Sequence, residues 1–215
     1  MPAAAIFDLD GTLLDTLDDL ADSANEALEA CGFAGHPVDA YRTFVGDGMA
    51  VLIERILPVE ARTPEGVERV LTRYQAAYDQ RWKAKTRPFP GIESLLRELT
   101  AREIPLTVLS NKLQAYTEIC MAHFLGHHPW EVILGQRAGV PRKPHPAGAH
   151  QIARQLGLAA GDILFIGDSS TDMDTATAAG MVPVGVLWGF RPEAELRRHG
   201  AQHLVASPEE ILALF

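Results

Sequence analysis

Cysteine is scarce in this chain: among 215 residues there are two, Cys31 and Cys120, and they form no Cys-x-x-Cys pair. That gives no basis for a disulfide framework, and each reads as a small buried apolar residue in a reducing compartment. Long apolar runs are also missing. Residues 1 to 7 are apolar but short, lack a basic flank and lead straight into Asp8, so they read as neither a signal peptide nor a membrane span. No long basic run occurs and the formal net charge is -9, which disfavours a nucleic-acid partner on electrostatic grounds. Internal repeats and low-complexity stretches are not evident. These absences leave a soluble, cytoplasmic protein whose 47% hydrophobic content suits one sizeable core, or one core with a small satellite domain. Oligomeric state has no signature in the sequence.

What is present is concentrated first in Ala4-Ala5-Ile6-Phe7-Asp8-Leu9-Asp10-Gly11-Thr12, an apolar run that ends in two carboxylates spaced two apart. The run reads as a buried strand, and Gly11 lets the chain turn, so Asp8 and Asp10 sit at the strand's carboxyl edge. In an open parallel sheet that edge binds ligands, and two unpaired acids there imply a cation. An EF-hand loop begun at Asp8 would need Gly at its sixth position and Glu at its twelfth, where this chain has Leu13 and Asp19. A solvated turn with two surface acids is the remaining bland alternative.

Later apolar segments repeat the strand pattern at Leu106 to Leu109, Val132 to Leu134, Ile163 to Ile166 and Val182 to Leu187. Helical spacing lies between them, as in Ile92, Leu95, Leu96 and Leu99, and in Ile152, Ala153 and Leu156. This alternation predicts an α/β fold, a doubly wound parallel sheet covered on both faces. Residues 15 to 87 break it. Leu17, Leu20, Ala24, Leu28 and Cys31 mark one helix, Met49 to Leu57 a second and Pro64 to Lys85 a third, with no strand between. The expected organisation is a core of residues 1–14 and 88–215, with a small helical cap domain of residues 15–87 inserted after the first strand. Arg87-Pro88-Phe89-Pro90-Gly91 reads as the hinge back.

Each remaining strand end carries polar residues. Ser110-Asn111-Lys112 follows Leu106–Leu109 and offers a hydroxyl to an anion, although Ser-Asn is also ordinary turn or cap chemistry. Pro141-Arg142-Lys143-Pro144 sets Lys143 between prolines that stiffen its loop, and a lysine suits phosphate as a compact charge. Ile163–Ile166 runs into Gly167-Asp168-Ser169-Ser170-Thr171-Asp172, a second acidic strand terminus, in which Asp172 can also simply begin a helix.

In order, Asp-x-Asp-Gly-Thr, Ser-Asn, Lys-Pro and Gly-Asp-x-x-x-Asp resemble the signature motifs of the haloacid dehalogenase-like hydrolase superfamily, over essentially the whole chain. The helical insert is similar to that superfamily's cap, and the core to its Rossmann-like sheet. Gly11-Thr12-Leu13-Leu14-Asp15-Thr16, Phe44-Val45-Gly46-Asp47-Gly48 and Trp188-Gly189-Phe190 are similar to the phosphoglycolate phosphatase branch.

The residues also make chemical sense by themselves. A phosphomonoester needs a nucleophile, a proton donor for its leaving alkoxide, and positive charge around the transferring oxygens. Asp8 would attack phosphorus to give an aspartyl-phosphate; Asp10 would protonate the leaving oxygen and then deprotonate water. The resemblance implies the same roles. Asp8 and Asp168, with the Asp10 carbonyl, would hold Mg2+ in the oxygen shell it prefers. Lys143, the Ser110 hydroxyl and backbone amides near Gly11, Thr12 and Asn111 would meet the phosphate oxygens. The resemblance gives Asp172 a supporting role beside Lys143 or a metal-bound water, with Ser169 as its neighbour. Asp10 favours phosphate esters over haloacids or phosphonates, whose family enzymes keep no acid there, but it does not separate a phosphatase from a β-phosphoglucomutase-like phosphomutase.

The expected function is therefore a magnesium-dependent phosphomonoester hydrolase acting on a small phosphorylated metabolite such as 2-phosphoglycolate. A sugar or nucleotide phosphatase, a phosphomutase, and a catalytically silent binding module are the alternatives. Gly46, Asp47, Gly48 and Met49 are the candidate specificity residues of the cap. His127, His128, His145 and His150 lack the spacing of a zinc site and read as loop or surface residues. Trp188 and Phe190 either line the cleft or pack beneath a loop.

Overall fold

The computed structural model describes residues 2–215. Its first strand, β1 (Ala4–Phe7), is buried at every residue. Ala5 and Phe7 join the core on one face of the sheet, while Ala4 and Ile6 join the core on the other, as strand alternation requires of a run apolar on both sides. A two-residue strand β2 (Leu14–Asp15) follows. The chain then forms α1 (Leu17–Ala30), α2 (Tyr41–Phe44), α3 (Met49–Ile56) and α4 (Pro64–Arg81). It returns through β3 (Arg87–Pro88) and continues as α5 (Ile92–Ala101), β4 (Leu106–Leu113), α6 (Gln114–Phe124), β5 (Trp130–Gln136), α7 (Ala147–Leu156), β6 (Ile163–Gly167), α8 (Ser170–Ala179), β7 (Val182–Val186), α9 (Glu193–Arg198), β8 (His203–Val205) and α10 (Pro208–Ile211).

The six-stranded sheet has the order β5-β4-β1-β6-β7-β8, with every pairing parallel. Chain order reverses direction across β1, so a crevice opens at its carboxyl end, the usual ligand site of doubly wound sheets. One face packs on α5, α6 and α10 through Leu95, Leu96, Met121 and Ile211. The other packs on α7 and α8 through Ile152, Ala153 and Ala176.

The insert α1–α4 has a separate core of Leu20, Ala24, Leu28, Tyr41, Leu52, Ile53, Val70, Tyr74 and Tyr78, into which Phe190 from the sheet side is inserted. Its entry and exit chains are paired: β2 and β3 run antiparallel, matching Leu14 with Pro88 and Asp15 with Arg87, and the Phe89 amide donates to the Leu13 carbonyl. The expected hinge is thus a two-stranded neck. Asp19, in the first turn of α1 and 1% exposed, accepts the amides of Lys85 and Thr86 and the Thr86 hydroxyl. Those bonds draw the chain away from the helical path, which is why the third helix stops at Arg81 rather than reaching Lys85.

Two further differences have physical causes. β8 was not anticipated because its apolar content is only Leu204 and Val205, too short a run to carry periodicity. β4 runs on past Leu109 to Leu113, so Ser110, Asn111 and Lys112 belong to a strand and not to a turn or helix cap. Cys120 is buried, whereas Cys31, just past the end of α1, is only half-buried.

Candidate active site

Strand alternation points Asp8 and Asp10 the same way from the end of β1, and both line a cleft between the sheet edge and the insert. Ser110, Asn111, Lys112, Asp168 and Ser169 come from the ends of β4 and β6, while Val45, Gly46, Gly48, Met49, Leu52 and Tyr74 come from the insert. The cleft measures about 620 Å³ with its open mouth included.

Lys143 is 4% exposed. Its Nζ lies 2.8 Å from Asp8 Oδ1 and 2.6 Å from Asp172 Oδ1. Burial by itself would lower its pKa, but the Asp172 and Asp8 carboxylates more than offset this and hold it above the ordinary lysine range. The loop that carries it is fixed by Asn111, whose Oδ1 accepts the Lys143 amide and whose Nδ2 donates to the Lys143 carbonyl. Asn111 Nδ2 also donates to the Gly46 carbonyl of the insert. The Asn111 side chain is therefore a clamp between two loops.

Asp172 sits in the first turn of α8. Its Oδ2 accepts from the Ser169 amide and hydroxyl while Oδ1 accepts from Lys143, so both oxygens have protein partners. Asp168 is held from the other side, with Oδ2 accepting the Phe190 amide at 2.7 Å. Two glycines make room for that carboxylate: a Cβ at Gly189 or at Gly11 would collide with Asp168, and Gly11 also has φ +88°, which suits glycine.

The Gly11 and Thr12 amides donate to the carbonyls of Leu14 and Leu9 within the turn. These two amides are engaged within the turn itself. The amides of Leu9 and Asp10 make no such bond among the described residues and are the free donors of this turn. The Thr12 hydroxyl is buried without a partner, and its carbonyl accepts from Trp188 Nε1. Trp188 thus packs beneath the loop, while Phe190 lines the cleft.

Asp8, Asp168 and Asp172 each bring a carboxylate oxygen within 4.8 Å of the others, and all three are buried. Burial, then the neighbouring Asp172 charge, raises the Asp8 pKa well above the ordinary carboxylate range. The same two causes push Asp168 up to about 7. Such acids can all ionise only if a further positive charge joins them. The donors are oxygens alone, which fits a hard divalent cation such as Mg2+. Both Asp172 oxygens are engaged by the protein, whereas Asp8 and Asp168 each have one oxygen bonded to it.

Lys112 had no role in the sequence reading, yet it is central to the geometry. Its Nζ lies 2.9 and 3.1 Å from the two carboxylate oxygens of Asp10, with its side chain 4% exposed. The signal was available: two residues beyond Ser110 on one strand, it faces the same way. Among the cap candidates, Gly46, Gly48 and Met49 line the cleft. Asp47 does not, because its carboxylate is engaged by Arg55 and by the Thr171 hydroxyl. Away from this site, His127 and His128, in the loop between α6 and β5, both place Nε2 2.9 Å from Glu93 Oε2, and His128 is buried.

The fold and the four strand ends define a hydrolase of one family. Residues 5–186 match the model for haloacid dehalogenase-like hydrolases, and the chain belongs to that family. Its relatives narrow the comparison. The phosphoglycolate phosphatase of Neisseria gonorrhoeae is 34% identical over 194 residues, covering 87% of this chain and 80% of the relative. That of Mesorhizobium japonicum is 35% identical over 188 residues, covering 86% and 82%. A crystal structure from Lactobacillus delbrueckii subsp. bulgaricus, provisionally assigned as a phosphoglycolate phosphatase, superposes with a TM-score of 0.91 at 32% identity and covers 97% of this chain and 96% of its own. No helix among the described residues is long and apolar enough to cross a membrane.

Proposed function

We propose that this protein is a magnesium-dependent phosphomonoester hydrolase working through an aspartyl-phosphate, with a small phosphorylated metabolite of the 2-phosphoglycolate type as substrate. The carrying observation is Asp8: a buried carboxylate on the cleft wall, with one oxygen held by Lys143. Lys143 would fix the angle of attack and neutralise phosphoryl oxygens, helped by the Ser110 hydroxyl and the Leu9 and Asp10 amides. Asp8 would form the new bond to phosphorus as the ester P–O bond breaks, and Asp10 would give its proton to the departing alkoxide. Asp10 would then take a proton from water, which attacks the phosphoryl group, and the Asp8–phosphorus bond would break to release inorganic phosphate. Asp8 and Asp168, with the Asp10 carbonyl, would hold Mg2+, which would supply charge neutralisation at the transferring group. Asp172 would keep Lys143 in place, since it binds the same Nζ that meets Asp8.

The substrate reading rests on the named relatives and on a cleft that the insert roofs with apolar Val45, Met49 and Leu52. The test is phosphate release from a panel of phosphomonoesters by purified protein with magnesium. 2-Phosphoglycolate is expected to lead sugar and nucleotide phosphates. Absence of release from every ester, p-nitrophenyl phosphate included, would overturn the reading.

A further inference from the structure

Beyond the reacting centre the cleft has one cation with an unusual attachment. Lys112 is bound through both oxygens of Asp10, the residue that, on the phosphatase reading, must deliver a proton to the leaving oxygen. Arg191, the other cation on the cleft wall, is committed elsewhere: its Nη2 donates to the Val45 carbonyl and its Nε lies 3.4 Å from Glu195.

The surroundings of Lys112 are otherwise short of polar partners. Its ammonium lies 5.0 Å from the centre of the Tyr78 ring, which stacks on Tyr74 at 5.7 Å. The Tyr74 hydroxyl is buried without a hydrogen-bond partner, and Tyr74 lines the cleft beside Lys112 and Asp10. A buried, unpaired hydroxyl is costly unless a partner fills its valence. Leu20, Leu52 and Met49 make the adjoining wall apolar.

We propose that Lys112, with Tyr74 beside it, is the specificity site for a carboxylate on the substrate, and that this carboxylate takes Lys112 over from Asp10. Distance sets the class. Asp10 must reach the ester oxygen by one hydrogen bond and Lys112 is one hydrogen bond beyond it, placing the ammonium within about 6 Å of that oxygen. A carboxylate on the carbon next to the ester oxygen spans this gap, whereas one on a longer linker overshoots. A single ammonium and a neutral hydroxyl suit a monoanionic carboxylate; a second phosphate, with its larger charge, calls for more cations than this wall offers.

This inference rests on the phosphatase reading, and the experiment separates the two. Wild type, Lys112→Met, Lys112→Arg and Tyr74→Phe are compared on 2-phosphoglycolate and on 2-hydroxyethyl phosphate, the same skeleton with the carboxylate replaced by a hydroxymethyl group. In wild type, kcat/KM should favour the carboxylate by about 100-fold, the size expected for a desolvated charge-assisted contact. Lys112→Met should collapse that ratio to within about fivefold, Lys112→Arg should retain part of it, and Tyr74→Phe should lower it by about tenfold. Tyr74→Phe removes one oxygen from a buried site and keeps the test available if Lys112→Met does not fold. Equal losses on both substrates in the Lys112 variants would make Lys112 a structural partner of Asp10 and overturn the proposal. So would a wild type that hydrolyses p-nitrophenyl phosphate but shows no carboxylate preference, an outcome that leaves the phosphatase reading standing. No hydrolysis of any ester overturns both.

Discussion

Thr171 of the core donates its hydroxyl to the Asp47 carboxylate of the insert across 3.1 Å, and the same carboxylate is ion-paired with Arg55. The loop of Gly46 to Met49, which lines the cleft, is thus also tied to the core, here and by Asn111 on Gly46, while Arg42 of α2 donates to the Gly189 carbonyl. Asp47→Ala is expected to raise KM for a small ester by about fivefold, one hydrogen bond's worth, with little change in thermal midpoint. Steady-state kinetics and a melting curve on the same preparation check it; a KM equal to wild type would remove this tie from the account.

Asp8→Asn is expected to lower phosphatase turnover by roughly 10⁴-fold, because an amide does not attack phosphorus readily and is no anionic ligand. Circular dichroism should show the fold retained. A rate near wild type in folded Asp8→Asn protein would remove Asp8 as nucleophile.

Metal removal has both a kinetic and a thermodynamic signature. Treatment with EDTA should stop turnover, and magnesium should restore it. For stability the sign follows from Asp168, whose pKa rises from an ordinary 3.8 to about 7 in the fold. Between these values the folded state holds a proton that the unfolded state has lost, so metal-free protein should lose stability as pH rises from about 4 to about 7. Asp8, raised for the same reason of burial, acts in the same direction. Saturating magnesium should flatten this slope; melting midpoints across that range, with and without the ion, provide the check.

Gly48 has φ +86°, and a Cβ there would lie 3.3 Å from the Asn111 carbonyl. Gly48→Val should therefore disturb the cleft roof and cost the preferred small substrate about tenfold more than p-nitrophenyl phosphate, the scale of a strained backbone. Equal losses on both esters would deny this loop a role in specificity.

Asp19→Ala would leave the Lys85 and Thr86 amides and the Thr86 hydroxyl without their acceptor. A loss of about 3 kcal/mol is expected from bonds to a charged group, measured by urea unfolding, with the released lobe becoming more sensitive to protease.

Much of this was legible in the chain, for reasons particular residues show. Apolar runs such as Ile163 to Ile166 are buried on both faces of the sheet, so their strand character is written in composition. The acids Asp8 and Asp168 stand at strand ends, where a polar residue after an apolar run is visible without structure. Asp19 was not legible, because it acts through Thr86, 67 positions away; for Lys112 the shared face with Ser110 was legible, but its partner Asp10, 102 positions away, was not. The engagement of the Gly11 and Thr12 amides was not legible, because it depends on the hydrogen bonding of one tight turn.

The neck formed by Leu14, Asp15, Arg87 and Pro88 also bears on chain topology. An insertion normally burdens its host with the entropy of bringing distant chain ends together, a cost that grows only slowly with loop length. Here the ends meet at their own antiparallel rungs, outside the six strands of the sheet. The lobe is therefore joined to the sheet covalently through one stalk, and elsewhere by side-chain contacts such as Phe190 in its core, Asn111 on Gly46 and Thr171 on Asp47, so a change in the length of the insert can be absorbed beyond the stalk without shifting the register of β1.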